Sequence, residues 1–198
     1  GLFGTVNQKF ERTAMHGVRI ELLKKQAQAM NMPLDIVEIP YPCSNADYEQ
    51  IMGAYIDSVK KKGIECFAFG DLFLEDIRAY RIKQLENTGI EAIFPIWQSN
   101  THTLASTIMT ADFEAVVTCI DSKKLRDSFV GRLYDASFLA DLPEGIDFCG
   151  ENGEFHTFVF NAPIFKQKIP ISVGELVKRG DFVFADIEYT NSVEEFEP

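Results

Sequence analysis

The sequence predicts an α/β protein with a doubly wound parallel sheet and a smaller C-terminal α+β lobe. In residues 1–98, short apolar runs alternate with segments whose apolar residues recur every three or four positions. Strands that alternate with helices in this way favour a parallel sheet with helices on both faces. In residues 99–198 this alternation gives way to strands separated by short helices. We therefore predict two units, 1–98 and 99–198.

The first half contains four predicted strands and three predicted helices. A proline and the residue before it both resist helix, so Pro33 ends the first helix. Ser44 or Asn45 is suited to cap the second helix, and Gly63 to close it. The predicted order is strand 2–6, helix 15–31, strand 34–39, helix 45–62, strand 64–69, a helix ending near 87 and strand 89–94. The strand at 64–69 is apolar almost throughout, which predicts that both of its faces are covered.

The second half follows a different pattern. It predicts helix 103–110, strand 113–120, short helices near 122–127 and 135–142, and strands 155–160 and 181–189. The end of the chain, Val193–Pro198, is acidic.

Composition and charge exclude several classes of partner. The 198 residues carry a formal net charge of −11, which argues against a nucleic-acid backbone or an anionic membrane as the principal partner. No stretch approaches the ~18 apolar residues of a membrane span. The four cysteines lie far apart without metal-ligand spacing, so we expect no metal site, no disulfide framework and a reducing, cytoplasmic environment.

The loop and strand from Cys149 to Phe165 hold the densest group of candidate site residues. Glu151 and Glu154 could bind a cationic amine, ammonia or Mg²⁺, and His156 could act as a general acid or base. Thr157 could donate a hydrogen bond to a substrate carboxylate. Two glycines, Gly150 and Gly153, allow a tight turn or close approach of a ligand. The alternative is an ordinary hairpin turn with solvated carboxylates.

Further candidates lie where predicted strands end, because ligands of open parallel sheets bind beyond the carboxyl ends of the strands. These positions are Thr5, the segment 40–45, and Gly70 with Asp71. On the helix that follows, Arg78 and Arg81 share one face and could clamp a phosphate or a carboxylate. The alternatives are a capping aspartate and surface salt bridges to Glu75 or Asp76.

The segment Gly150–Thr157, followed by Asn161–Phe165, resembles the signature of the diphthine–ammonia ligase family of ATP-binding PP-loop (N-type ATP pyrophosphatase) proteins. Asn152 stands where the family commonly has glycine. Other segments also match the family's patterns: His16 with Arg19, Gly70–Asp71, Tyr80–Arg81 and Pro95–Trp97. The resemblance implies a HUP-like fold of the adenine nucleotide alpha hydrolase type.

The resemblance also implies a reaction and roles for residues. Family members bind ATP with Mg²⁺, convert a carboxylate to an acyl-adenylate with release of pyrophosphate, and let ammonia displace AMP, as on the diphthine side chain of elongation factor 2. By this resemblance the catalytic residues are Glu151, Glu154 and His156, and the nucleotide-binding residues are Thr5, His16, Gly70, Asp71 and Arg81. The substrate-binding residues are Trp97, Gly150, Asn152, Gly153 and Thr157.

The family's first strand, its Ser-Gly-Gly-Lys-Asp-Ser loop and the helix after it have no match in this sequence. If the sequence is part of a longer chain, we expect an upstream segment to supply them; if it is complete, a non-catalytic binder is the better interpretation. Three hypotheses stay open: an amide ligase acting on a protein side chain or a small metabolite, an adenine-nucleotide hydrolase or nucleotide-binding protein of the same fold, and a non-catalytic binding protein. A homodimer is an open alternative for the assembly.

Overall fold

The first half of the chain forms two separate parallel strand pairs. The computed structural model describes residues 1–9, 12–13 and 16–190. Strand β1 (Leu2–Asn7) pairs in parallel with β3 (Leu34–Ile39), and the two-residue β2 (Arg12–Thr13) adds to the end of β1 in antiparallel orientation. Strand β4 (Cys66–Ala68) pairs in parallel with β5 (Glu91–Ile93). The α/β class and the parallel pairings are confirmed, but no described strand joins β1 to β4 into one doubly wound sheet.

Five helices in the described part of the chain accompany the strands. They are α1 (Ile20–Ala29), α2 (Asn45–Lys61), α3 (Glu75–Leu85), α4 (Thr101–Thr110) and α5 (Ala136–Asp141). Ser44 caps α2 as predicted, in a capping box with Asp47. Helix α1 begins later than predicted, because Gly17 has a φ of 66° and Arg19 is extended. The predicted start at Met15 lies outside the described residues.

The second half is built on a four-stranded antiparallel sheet. Its strands are β6 (Glu114–Asp121), β7 (Phe155–Asn161), β8 (Ile171–Arg179) and β9 (Phe182–Tyr189), in the order β7-β6-β9-β8. The predicted strands at 113–120, 155–160 and 181–189 are confirmed as β6, β7 and β9. The predicted helix near 122–127 is instead a 3₁₀ turn at Asp127–Phe129. Strand β8 was not predicted.

Helix α1 packs into the core of the C-terminal sheet. Val18, Leu22 and Ala29 belong to the same buried cluster as the strands of that sheet, and Leu22 is fully buried. Burial of a leucine side chain contributes about 1.5–3 kcal/mol. The Gln26 amide also donates to the carbonyl oxygen of Val159 at 2.7 Å. The two halves of the chain are therefore joined through α1, while the boundary at 98/99 stays a prediction.

A smaller cluster lies between α2, α3 and β4. Its buried members are Ile56, Val59, Phe67, Leu85 and Ile90. The expectation that both faces of β4 are covered is wrong, since Cys66 and Ala68 are exposed on either side of buried Phe67. Within the residues that the structure describes, no helix is both long and apolar enough to cross a membrane.

Candidate functional site

The candidate site begins at a tight loop before β7, which the carboxylate of Asp147 organises. One Asp147 oxygen accepts hydrogen bonds from the backbone amides of Cys149 at 2.9 Å and Glu151 at 3.2 Å. The amide of Gly150 donates to the Asp147 carbonyl, and the amide of Gly153 donates to that of Gly150. Aspartate stabilises turns by bonding the backbone two or more residues on. Asp147 was not predicted as a site residue, although an Asp two residues before a Gly-rich loop is a recognisable turn signal.

Glu154 is a buried carboxylate with one unused oxygen. The residue is 2% exposed, and its Oε1 accepts from the side-chain amide of Asn152 at 3.0 Å and from the Asp147 amide at 3.3 Å. Its Oε2 is buried and has no hydrogen-bond partner. A buried polar atom without a partner is unfavourable by about 1–3 kcal/mol, more when charged, so such atoms mark positions where a ligand can complete the bonding. Asn152 thus orients Glu154.

Glu151 has a different environment, because it reaches the other half of the chain. Its Oε1 accepts hydrogen bonds from the amides of Leu72, at 2.7 Å, and Phe73, at 3.4 Å, just before α3. These amides follow Gly70 and Asp71, the predicted nucleotide-binding pair. Glu151 therefore ties the loop before β7 to the loop after β4.

The two glycines of the loop have different surroundings. Gly150 has a φ of 69°, and a Cβ there would lie 2.7 Å from the carbonyl oxygen of Phe155. Gly153 has a φ of 73°, but a Cβ there would meet nothing within 4 Å. Gly150 is required by close packing against the start of β7, whereas Gly153 is required only by its backbone conformation.

His156, the second residue of β7, packs on His16. The two ring centroids are 4.5 Å apart, with the planes tilted by 49°. Burial, and then the neighbouring His16, lower the pKa of His156 to about 4, and its Nε2 is buried without a hydrogen-bond partner. Burial of the His16 ring among protein atoms lowers its pKa as well. Both imidazoles are therefore neutral at pH 7 in the free protein.

A cavity of about 450 Å³ brings predicted residues from both halves together. Thr5, His16, Arg81 and Thr157 all line it, together with Gln26, Tyr48, Tyr80 and Gln84, which were not predicted. One wall comes from β1 and β4, and the others come from the helices α1, α2 and α3 and from β7. Its apolar walls with a few polar groups are typical of a small-molecule site.

Gly70 and Asp71 do not line this cavity, although Asp71 contacts Arg81, which does. Asp71 forms an ion pair with Arg81 at 3.7 Å, and its Oδ2 is otherwise buried without a hydrogen-bond partner. Gly70 is exposed, and a Cβ there would meet nothing within 4 Å. The guanidinium of Arg81 lies 5.0 Å from the Phe69 ring centroid.

Trp97 lies away from the cavity lining. Its ring makes an edge contact with the Phe94 ring, with the centroids 6.0 Å apart. The guanidinium carbon of Arg78 lies 4.9 Å from the Trp97 ring centroid. Arg78 also forms the ion pair with Glu75 that the sequence allowed, at 3.8 Å. The structure therefore separates a cavity group (Thr5, His16, Arg81, Thr157), a loop group (Gly150, Glu151, Asn152, Gly153, Glu154) and Trp97.

The described residues contain no metal cage, and the two cysteines packed near the C-terminal sheet are not reactive thiols. No group of three or more His, Cys, Asp or Glu side chains there could hold a metal ion. Burial raises the pKa of the Cys149 thiol to about 11 and that of Cys119 to about 12, so both stay protonated at neutral pH. Mg²⁺ is commonly bound by one or two carboxylates together with substrate phosphates, and the unpartnered oxygens of Asp71 and Glu154 fit such a role.

Comparison with known proteins finds similarity to one group of enzymes. A family model described as "Diphthamide synthase C-terminal domain" matches residues 100–193. The diphthine–ammonia ligases of Bos taurus and Homo sapiens are each 24% identical to this chain over 184 residues, which covers 85% of this chain and 68% of each relative. The diphthine–ammonia ligase of Danio rerio is 25% identical over 179 residues, covering 82% and 70%. The loop of Glu151 and Glu154 lies inside the matched domain, and the chain is similar to diphthine–ammonia ligases over most of its length.

Proposed function

We propose that this protein is an ATP-dependent amide ligase, which adenylates a carboxylate and then amidates it with ammonia. The single observation that supports this best is the cavity, where Thr5, His16 and Arg81 of the first half meet Thr157 of the matched domain. A nucleotide bound there would lie beside the strand that begins at the Glu154 loop. The relatives are diphthine–ammonia ligases, which supplies the reaction class, and the chemistry of the cavity residues is compatible with that reaction.

The proposed reaction has two steps. A carboxylate oxygen forms a bond to the α-phosphorus of ATP. The bond from that phosphorus to the bridging oxygen of pyrophosphate breaks, and its electron pair leaves with pyrophosphate. The nitrogen of ammonia then forms a bond to the acyl carbon. The bond from that carbon to the phosphate oxygen of AMP breaks, its electron pair leaves with AMP, and the nitrogen gives up a proton. Mg²⁺, when bound, neutralises charge on the departing pyrophosphate. The guanidinium of Arg81 stabilises charge on phosphate oxygens in the cavity.

Glu154 and His156 provide the groups for the second step. The free Oε2 of Glu154 accepts a hydrogen bond from ammonia or ammonium and keeps it at the loop. The free Nε2 of His156 is neutral in the unliganded protein, and phosphate charge nearby would raise its pKa from about 4. His156 can therefore take up the proton that the nitrogen releases.

The proposal extends to the fold of the first half. The cavity lies between β1 and β4, and the helices α1, α2 and α3 all contribute to its walls. One more parallel strand between β1 and β4 would join the two pairs into a doubly wound, HUP-like sheet. We also propose a cytoplasmic location, which is compatible with four free thiols.

The test is a product assay with a matched pair of variants. The protein is incubated with ATP, Mg²⁺, ammonium and a panel of carboxylates, among them a diphthine-containing elongation factor 2, and AMP, pyrophosphate and amide are measured. We expect all three products, and we expect Glu154→Gln to keep ATP binding and lose amide formation. Glu144→Gln is the control, because Glu144 is an exposed glutamate in the same region.

The outcomes separate the hypotheses. AMP and pyrophosphate without any need for carboxylate or ammonia would identify a nucleotide hydrolase instead. Titration of ATP and AMP, with Mg²⁺, should be repeated on a chain extended with whatever sequence its gene encodes before Gly1. If neither chain binds either nucleotide, the protein is a non-catalytic binding protein and the ligase proposal is refuted.

A further inference from the structure

The Arg78 guanidinium packs on aromatic rings, but its N–H groups form few hydrogen bonds. Its guanidinium lies 4.9 Å from the Trp97 ring centroid and 5.3 Å from that of Phe94. Its Nε is buried without a hydrogen-bond partner, and its ion pair with Glu75 is long, at 3.8 Å. The side chain is 38% exposed, so an approaching ligand can reach it. Stacking fixes the plane of the guanidinium and leaves its edge available for a planar oxyanion.

A second stacked arginine, Arg132, has polar partners that Arg78 does not have. Arg132 lies over Phe129 at 5.4 Å and Phe138 at 5.7 Å. Its guanidinium also forms an ion pair with Asp141 at 2.8 Å and donates to the Ser137 hydroxyl at 3.1 Å. Arg78 has the same aromatic support without these short polar contacts, and this difference points to a missing anionic ligand.

The position of Arg78 indicates which anion it receives. Arg81, one turn further along α3, lines the cavity that we assign to the nucleotide, whereas Arg78 does not. The guanidinium of Arg81 lies over the Phe69 ring, and that of Arg78 lies over the Phe94 ring. These two rings stack on each other with their centroids 5.6 Å apart. Arg78 is also nearer in sequence to Leu72 and Phe73, the amides that Glu151 binds.

We propose that Arg78, on the floor formed by Phe94 and Trp97, is an oxyanion subsite that receives a carboxylate group of the acceptor. The proposal rests on the proposed function, since the acceptor is the substrate that brings a carboxylate to this side of the nucleotide. Two N–H groups of the Arg78 guanidinium donate to the two carboxylate oxygens, and the rings of Phe94 and Trp97 exclude water from one face of this ion pair. Phosphate shares this chemistry, so the test must distinguish the two sources.

Trp97 provides the measurement, because it is the single tryptophan in the chain and contacts Arg78 directly. Glutarate, as a carboxylate probe, and inorganic pyrophosphate are titrated separately while Trp97 fluorescence is followed. We expect a saturable change with glutarate, and at least a tenfold loss of affinity in Arg78→Gln. Arg78→Lys keeps the positive charge but loses the paired donors of the guanidinium. Its glutarate affinity should lie between that of the unmodified protein and that of Arg78→Gln. Arg132→Gln should titrate like the unmodified protein.

Other outcomes of these titrations overturn the proposal. A change that depends on Arg78 but occurs only with pyrophosphate would assign the subsite to the nucleotide. No saturable change with either probe, or equal affinities in Arg78→Gln and the unmodified protein, would remove the subsite. AMP titration is a separate measurement: lack of AMP binding by the unmodified protein would refute the nucleotide proposal while leaving the glutarate result standing. Thermal melting of each variant checks that it is folded.

Discussion

Replacement of Gly150 by alanine should destabilise the protein by about 2–5 kcal/mol. Gly150 has a φ of 69°, and a residue with a Cβ loses about 1–2 kcal/mol in this left-handed conformation. The new Cβ would lie 2.7 Å from the carbonyl oxygen of Phe155, and overpacking of this kind adds about 1–3 kcal/mol. The clashing atom is backbone at the start of β7, so it cannot move aside without shifting the strand.

Gly153→Ala is the matched control for this prediction. Gly153 has nearly the same conformation, with a φ of 73°, but a methyl group added there would meet no atom within 4 Å. Only the conformational part, about 1–2 kcal/mol, should be lost there. Urea denaturation measures both free energies of unfolding, and each kcal/mol should lower Tm by about 2–4 °C in a chain of this size. Equal destabilisation of the two variants would refute the argument from the Phe155 contact.

Three further predictions concern other contacts. Glu151→Gln should weaken the bonds to the amides before α3 by about 1 kcal/mol and speed hydrogen exchange of those amides, and unchanged exchange would contradict the role given to Glu151. The pKa of His156 is about 4 in the folded protein and near 6.5 when unfolded, so proton uptake favours unfolding as the pH falls from 6.5 towards 4. His156→Gln should therefore lose less stability between pH 7 and pH 4.5 than the unmodified protein, as measured by urea midpoints, and equal losses would count against this assignment. Asp186→Asn should lose about 1–3 kcal/mol in thermal melting, because Asp186 binds two arginines, whereas Asp181→Asn, at an exposed ion pair, should lose less than about 1 kcal/mol.

Elements with strong local patterns were predictable from the sequence. Strand β3 occupies the predicted residues, and α2 begins at the predicted cap, because prolines and a capping box fix their ends locally. Strand β8 was missed, since Gly174 and the exposed Glu175 interrupt its apolar alternation at the edge of the sheet. The turn at Gly180 and Asp181, which joins β8 to β9, was the available signal for a hairpin.

The candidate site could be predicted only in pieces. The loop from Gly150 to Glu154 was found because its residues are adjacent in sequence. Contacts between distant positions were not, such as that of Glu151 with Leu72, 79 residues away, or that of His16 with His156. No local pattern encodes such pairs, because they depend on how the two halves pack. The role of Asp147 was missed for a different reason, since its contacts are local and its position before the loop is a turn signal that was not used.

Charged side chains make some of the contacts that join the two halves, and two of these contacts affect how a ligand would bind. Glu151 binds the amides before α3, while Arg19 binds Asp186 of β9 through two hydrogen bonds of 2.9 and 2.6 Å. The cavity is lined by residues of both halves, so its shape depends on both connections. A ligand that contacts both halves stabilises the folded protein in which they are joined, by about 2.7 kcal/mol at a concentration of 100 Kd. Weakening either connection should therefore lower nucleotide affinity, although neither Glu151 nor Asp186 lines the cavity.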